Sequence, residues 1–406
     1  MLLWLQKLKY EKMDFSLSEE QVQIKNMARS FMRDEKSKEK QVENWIKNAD
    51  KTKKFPVEFM KEAAKLGFLS MDIPEEYGGA GLDRVSALLA FEEIAYVSVP
   101  FSLDILVHNS LSAFAINMAG RKDQKEKYLP RMASGELFGC FANTEPEAGS
   151  DAKNIKTRAV KNGNKWLLNG KKRFCTNASA SQIAVVFART SERKAGNPGT
   201  TAFLIDIGPR VKGYSLDRLE PKICQAGSTL CEFSLNDYET SDENILGEVD
   251  KGWDVCDGTF KHSRIWIAMQ GVSLARRAQD EIMKYASERK TFDKPIIENQ
   301  YIAFELAKLK TEIESTRIMA YKAAWQEMTA NPEFAITASM AKYMGGELAV
   351  KAARLACQYA GGISISQESI FSKLYADALA IPIYEGASEI QLAIIAKDMK
   401  SKAALT

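Results

Sequence analysis

Apolar side chains recur at two different spacings along this chain, and the changes between them divide it. Ile24, Met27, Ala28 and Phe31 repeat at intervals of three and four, the spacing that puts side chains on one face of a helix. Ser18 and Gln21 precede that run as a capping box. A second helix is predicted to start at Pro56, carry Phe59, Met60, Ala63 and Ala64, and stop at Gly67. Val85, Leu88 and Leu89, then Leu103, Leu106, Val107, Leu111 and Phe114, continue the helical period. From residue 137 the pattern shifts to short β-rich runs at 137–142, 183–188, 201–206 and 229–235, with Asn162-Gly163 as a hairpin signal. Beyond Gly252 three long helical stripes follow: Ile265, Ala268, Val272, Ala275 and Ile282; Ile302, Leu306, Leu309, Ile313 and Ala320; Ile336, Met340, Met344, Leu348 and Leu355. The fold predicted is mainly α with a central β domain. It has an N-terminal α-helical domain (14–135), a middle antiparallel β domain (136–247) and a C-terminal four-helix bundle (248–406). Residues 1–5 are too short an apolar run for a secretory signal, and residues 1–13 are set apart as a possible N-terminal extension.

Composition narrows the function classes. A chain of 406 residues exceeds one ordinary core, so about two or three domains are expected. Its 56 basic and 53 acidic residues are interleaved and leave a net charge of only +3, which argues against a nucleic-acid surface. No apolar run is expected to reach membrane-spanning length, so no membrane insertion is expected. The six cysteines lack paired spacing, which argues against a disulfide framework or a zinc site and suits a reducing, cytoplasmic setting. The two histidines, His108 and His262, are far apart in sequence. They offer little for a metal centre or an imidazole triad, and His108 in its apolar surroundings reads as a core residue. No metal is expected; carboxylate chemistry or a bound cofactor is the route left open.

The stretch that concentrates chemistry is Ile381-Pro382-Ile383-Tyr384-Glu385-Gly386-Ala387-Ser388-Glu389-Ile390-Gln391. Ser388 and Gln391 have capping-box spacing, and Gly386 permits a sharp entry turn. Glu385 then falls in a loop beside Ala380, Ile381, Pro382 and Ile383, where desolvation raises a carboxylate toward the pKa of a useful general base. The same residues also suit a glutamate that only complements a helix dipole.

This stretch, together with Thr144-Glu145-Pro146-Glu147-Ala148-Gly149-Ser150-Asp151 and Glu288-Arg289-Lys290-Thr291-Phe292, resembles the acyl-CoA dehydrogenase family, with the three blocks in the family's order and similarity from about Asp14 onward. The resemblance implies an FAD lying between the β domain and the C-terminal bundle. It assigns flavin contacts to Phe141, Thr144, Gly149 and Ser150, to Phe174 in place of the usual tryptophan, to Thr176, and to Ala387, Ser388 and Glu389. Arg289, Thr291, Phe292 and Gln300 match the segment that in relatives reaches a neighbouring subunit's FAD, which implies a homo-oligomer, tetramer or dimer. Gln358, Gly361 and Gly362 match a further dinucleotide contact. Ser150, Lys261, His262, Ser263, Arg264, Tyr384 and Gly386 match acyl-CoA positions. The mechanism implied is α,β-desaturation of an acyl thioester. Glu385 takes the α proton while a hydride leaves the neighbouring carbon for flavin N5, and electrons pass to an electron-transferring flavoprotein.

Several positions depart from the family pattern. Asp293 stands where glycine is usual, Gln225 where a loop arginine is common, and Ala387 where threonine is usual; Asp377 lacks its bracketing arginines. These departures keep two related readings open, an enoyl-CoA reductase and a dehydrogenase acting on a carrier-protein thioester. From another class, a flavin-free helical scaffold or regulatory protein remains an alternative.

Overall fold

The computed structural model describes residues 16–33, 48–49, 51–52 and 54–404; the expected extension at residues 1–13 lies outside them. Helix α1 (Glu19–Arg33) begins as the capping box predicts. The Ser18 amide donates to Gln21 Oε1 at 3.2 Å and the Gln21 amide to Ser18 Oγ at 3.1 Å. Helix α2 (Val57–Lys65) starts after Pro56, and the chain turns at Gly67 with φ 78°. Helix α3 (Arg84–Val97) is capped by Asp83, whose carboxylate takes the amides of Val85 and Ser86. Helix α4 (Val99–Leu106) continues through a π turn into α5 (Phe114–Ala119). Contrary to the expectation from sequence, Val99–Ala119 is long and apolar enough to span a membrane; 94% of its most apolar window is buried inside the protein. Its apolar surface is spent on the core of the helical layer, beside α6 (Lys122–Ala133) and the sheet. His108 in this run accepts from the Gly139 amide at Nδ1 (3.4 Å) and faces the Met132 carbonyl with Nε2 (3.2 Å). Burial pushes its pKa down to about 4, so it is a neutral, satisfied core residue.

The middle segment is an eight-stranded sheet whose later strands are β5 (Thr200–Asp206), β6 (Tyr214–Leu219), β7 (Leu230–Ser241) and β8 (Ile245–Leu246); the order is β6-β7-β3-β2-β4-β5-β8, with β1 added beside β4. Strands β2 (Arg158–Asn162) and β3 (Lys165–Thr176) form the predicted hairpin, closed by the Asn162–Lys165 pair with Gly163 at φ 61°. The sheet is not wholly antiparallel. β1 (Gly139–Ala142) runs parallel to β4 (Ile183–Arg189) because the β2–β3 hairpin intervenes and returns the chain in the same direction. β4 separates two cores. Ile183, Val185 and Phe187 pack on the helical layer, while Ala184, Val186 and Ala188 face the interior of the sheet domain with Phe203 and Phe233.

The C-terminal part consists of α7 (Gly252–Glu288), α8 (Gln300–Met328), α9 (Phe334–Ala360), α10 (Ile370–Ala378) and α11 (Ser388–Ala403). The predicted stripe on α7 is fully buried, and that on α8 is buried from Leu306 to Ala320. The third stripe is corrected in part: Leu348 is buried as expected, but Ile336, Met340, Met344 and Leu355 are only half-buried, and the rest of the buried face of α9 is mostly small, with Ala338, Ala341, Gly345, Ala349, Ala352 and Ala356. Small residues win there because α7 and α9 nearly touch. A Cβ on Gly271 would lie 2.1 Å from the Gly345 carbonyl oxygen, and one on Gly345 2.6 Å from that of Ala268.

Candidate active site

Glu385 lies in the loop between α10 and α11 on left-handed backbone, φ 52°, followed by Gly386 at 89°. For a residue with a Cβ this conformation is strained and persists only where neighbours impose it. Lys342 of α9 is one such neighbour: its Nζ donates to the carbonyls of Pro382 at 3.0 Å and Gly386 at 2.8 Å. Gln391 adds its side-chain amide, donating to the Gly386 carbonyl at 2.9 Å. The capping box expected at Ser388 and Gln391 is therefore corrected. Ala387 is the N-cap and bonds nothing with its side chain, while Ser388 Oγ donates to Glu347 of α9 at 2.6 Å. Ser388 is already helical, so its hydroxyl lies beside α9, and the converging loop carbonyls claim the Gln391 amide.

The Glu385 carboxylate is half-buried and accepts a hydrogen bond at Oε2 from Ser263 Oγ of α7. Burial pushes its pKa up to about 7, against the opposing pull of Ser263, Lys342, Arg264 and His262. A carboxylate held there exchanges protons near neutrality, as a general base or acid requires. Its neighbour Tyr384 turns its hydroxyl to Gln270, two helical turns beyond Ser263 on the same face of α7, so one helix holds both side chains. Gln225 also donates to that hydroxyl, at 3.3 Å.

On the sheet, two predicted flavin segments come together. β3 carries a register shift between Lys172 and Cys175, and Phe174 at φ 56° is thrown outward to 50% exposure, as a bulge does. Lys172 beneath it is buried, pairs with Glu145 at 2.7 Å and donates to the Asn143 carbonyl. The Arg173 amide donates to the Thr144 carbonyl at 2.9 Å. These bonds fasten the loop carrying Thr144, Gly149 and Ser150 alongside Phe174 and Thr176. Glu145 is turned inward, so its charge does not face this surface. Phe141 is buried against Phe187 and Phe260 at ring distances of 4.9 and 5.6 Å.

Other predicted residues lie elsewhere. Arg289 caps the C-terminus of α7, and Thr291 pairs with Lys294 in a small hairpin whose tip, Phe292 (φ 51°) and Asp293 (φ 69°), is left-handed. Phe292 is 98% exposed, and Gln300 opens α8 in solvent. Gln358, Gly361 and Gly362 line a cavity at the end of α9 with Arg354, Ser364 and Tyr375. Ala387 is half-buried and Glu389 exposed at the start of α11.

Four successive residues of α7 point four ways, since each is rotated by about 100° from the last. Lys261 reaches outward and pairs with Asp257 at 2.6 Å. His262 and Ser263, matched to acyl-CoA positions, are both fully buried. The His262 ring stacks on Phe114 and faces Asp72 with Nε2 (3.0 Å) and Glu327 with Nδ1 (2.8 Å). Ser263 meets Glu385, and Arg264 lies beneath with Nη1 toward Ser339 at 3.3 Å. Sequence reading missed Lys342, Gln270 and the role of Gln225. The available signal for Lys342 was a single lysine on a helix face otherwise made of alanine, glycine and serine.

The surfaces present suit an FAD. A half-exposed aromatic ring lies among threonine and serine hydroxyls, and an added Cβ at Gly149, Gly361 or Gly362 would meet nothing within 4 Å. The cavity at Gly361 also offers the Arg354 guanidinium, a partner for diphosphate.

Three acyl-CoA dehydrogenase family models match in succession: the N-terminal domain over residues 18–136, the middle domain over 140–238 and the C-terminal domain over 250–400. An acyl-CoA dehydrogenase of Bacillus subtilis is 36% identical over 384 residues, covering 94% of this chain and 98% of that protein. The CarC subunit of the caffeyl-CoA reductase-Etf complex of Acetobacterium woodii is 35% identical over 378 residues, covering 93% and 97%. The structure of butyryl-CoA dehydrogenase from Megasphaera elsdenii superposes with a TM-score of 0.90 at 33% identity, over 95% of this chain and 100% of that one. With this helical–sheet–helical architecture and matches along nearly its whole length, the chain belongs to the acyl-CoA dehydrogenase family of FAD-dependent oxidoreductases.

Proposed function

We propose that this enzyme introduces the α,β double bond into an acyl-CoA thioester, with Glu385 as the base that takes the α proton. The observation that carries the reading is the carboxylate itself, half-buried on a clamped left-handed loop with its pKa pushed up to about 7. A base of that strength is unprotonated for much of the time at neutral pH and gains little by staying so. FAD, when bound, supplies the hydride acceptor. Phe141, Thr144, Gly149, Ser150, Phe174 and Thr176 would hold its ring. Arg289, Thr291, Phe292 and Gln300 of one copy would meet the cofactor of another, and the exposure of Phe292 supports a homo-oligomer. Tyr384 and Gly386 flank the base and would border the acyl group, with Ser150 and the outward Lys261 toward the coenzyme. An electron-transferring flavoprotein is the acceptor we propose, in line with the Etf-linked relative.

The test is anaerobic bleaching of the flavin by a panel of saturated acyl-CoA thioesters. Glu385→Gln keeps shape and flavin but removes the base, and bleaching should slow by at least about a thousandfold. A Gln variant that bleaches at the normal rate defeats the assignment. Bleaching only by carrier-protein thioesters, or turnover only from the enoyl side, would select one of the related reactions instead.

A further inference from the structure

Lys342 has no exposed surface. A buried ammonium is costly unless paired or fully hydrogen-bonded. Among the described residues it bonds no carboxylate, and its two bonds go to the carbonyls of Pro382 and Gly386, on either side of Glu385. Those carbonyls converge because Glu385 and Gly386 both take left-handed backbone. Two carbonyl dipoles aimed at one point repel each other unless a cation lies between them. The strained φ of Glu385 and the buried lysine therefore explain each other, and neither makes sense alone.

We propose that Lys342 is a positioning residue for Glu385: its ammonium fastens both shoulders of the loop, fixes the left-handed backbone at the base and so delivers the carboxylate to Ser263. The inference rests on the reading of Glu385 as the base. The charge has a second effect. Glu385 is faced by Ser263, Arg264 and His262 of α7 and by Lys342 of α9, with Tyr384 beside it, while Arg264, Glu347 of α9 and Glu389 of α11 act on Lys342. Lys342 is one of the cations that hold the pKa of Glu385 below where burial alone would put it.

Lys342→Met and Lys342→Gln, prepared as flavin-loaded enzymes, separate the two effects. Titration of the Glu385 carboxyl is followed by infrared difference spectroscopy, assigned by subtracting Glu385→Gln, and needs no turnover. In Lys342→Met, Glu385 should titrate at higher pH than in the wild type, and kcat should fall by about a hundredfold with KM nearly unchanged. Lys342→Gln, a donor without charge, should regain part of kcat while the titration stays raised. A flavin-loaded Met variant with wild-type titration and kcat overturns the proposal. If that variant does not load flavin, a Gln variant with an unshifted titration overturns it equally. A wild type that acts on no thioester refutes the function and leaves the infrared comparison to decide the role of Lys342.

Discussion

Gln225 and Asp377 are joined by two hydrogen bonds: the Gln225 amide donates to Asp377 Oδ1 at 2.6 Å, and its side-chain amide to the Asp377 carbonyl at 3.1 Å. In sequence, Gln225 stands where the family commonly has an arginine, and Asp377 lacks the arginines that usually bracket it. The two residues meet in the fold, 152 residues apart, and the same Gln225 side chain reaches Tyr384.

Asp377→Ala should therefore destabilise the enzyme by about 3 kcal/mol, because it leaves the buried Gln225 amide without its acceptor. Chemical denaturation reads the cost. A loss under about 0.5 kcal/mol, the level of an ordinary surface change, would contradict it.

Ser263→Ala removes the hydroxyl that stabilises the ionised form of Glu385. The base then becomes harder to deprotonate, and the acid limb of the kcat profile moves to higher pH. Losing one hydrogen bond to a charged group should cost about tenfold in rate below neutrality and little on the alkaline plateau. A uniform loss at every pH would mark Ser263 as structural only.

His262 ties α7 to the N-terminal layer through Asp72 and to α8 through Glu327, with Arg84 bonded to both acids at 2.8 and 3.2 Å. Burial alone would lower the imidazole pKa, but Glu327 and Asp72 outweigh it and raise it. A raised histidine contributes stability that is fully present below its unfolded value near pH 6.5 and is lost as pH rises through the folded value. Burial also opposes ionisation of Asp72 and Glu327, yet Arg84 and His262 lower both, so their contribution is lost in acid. His262→Asn should cost about 3 kcal/mol below about pH 6.5 and less as the pH rises through the raised folded value. Unfolding free energies across that range check it, and a pH-independent cost would contradict it.

Gly271→Ala places a methyl 2.1 Å from the Gly345 carbonyl oxygen. Backbone cannot yield as a side-chain tip does, so α7 and α9 must separate. A loss of at least about 3 kcal/mol is expected, with a lowered Tm and weakened flavin retention. Ala at the exposed Gly149, where nothing lies within 4 Å of the added Cβ, is the control for stability.

Periodicity in the sequence sufficed for the helical–sheet–helical order, the start of α1 at Ser18 and the stripes on α7 and α8, because burial selects apolar residues at the period of the element they occupy. Local order likewise placed Glu385 in a loop ahead of a helix. The stripe on α9 was misread in part because helices that nearly touch are joined by alanine and glycine, which carry no hydrophobic signal. The partners of the base were invisible for a different reason. Lys342, Ser263 and Gln270 lie 40 to 122 residues from the loop residues they hold, and sequence distance has no bearing on which side chains a folded core brings within hydrogen-bond reach. Sequence alone singled out Glu385, on its loop and within the motif of the resemblance, as the candidate for the chemistry. The tertiary structure decided its strained backbone, its partners and its near-neutral pKa, since each depends on burial and on charges supplied by other helices.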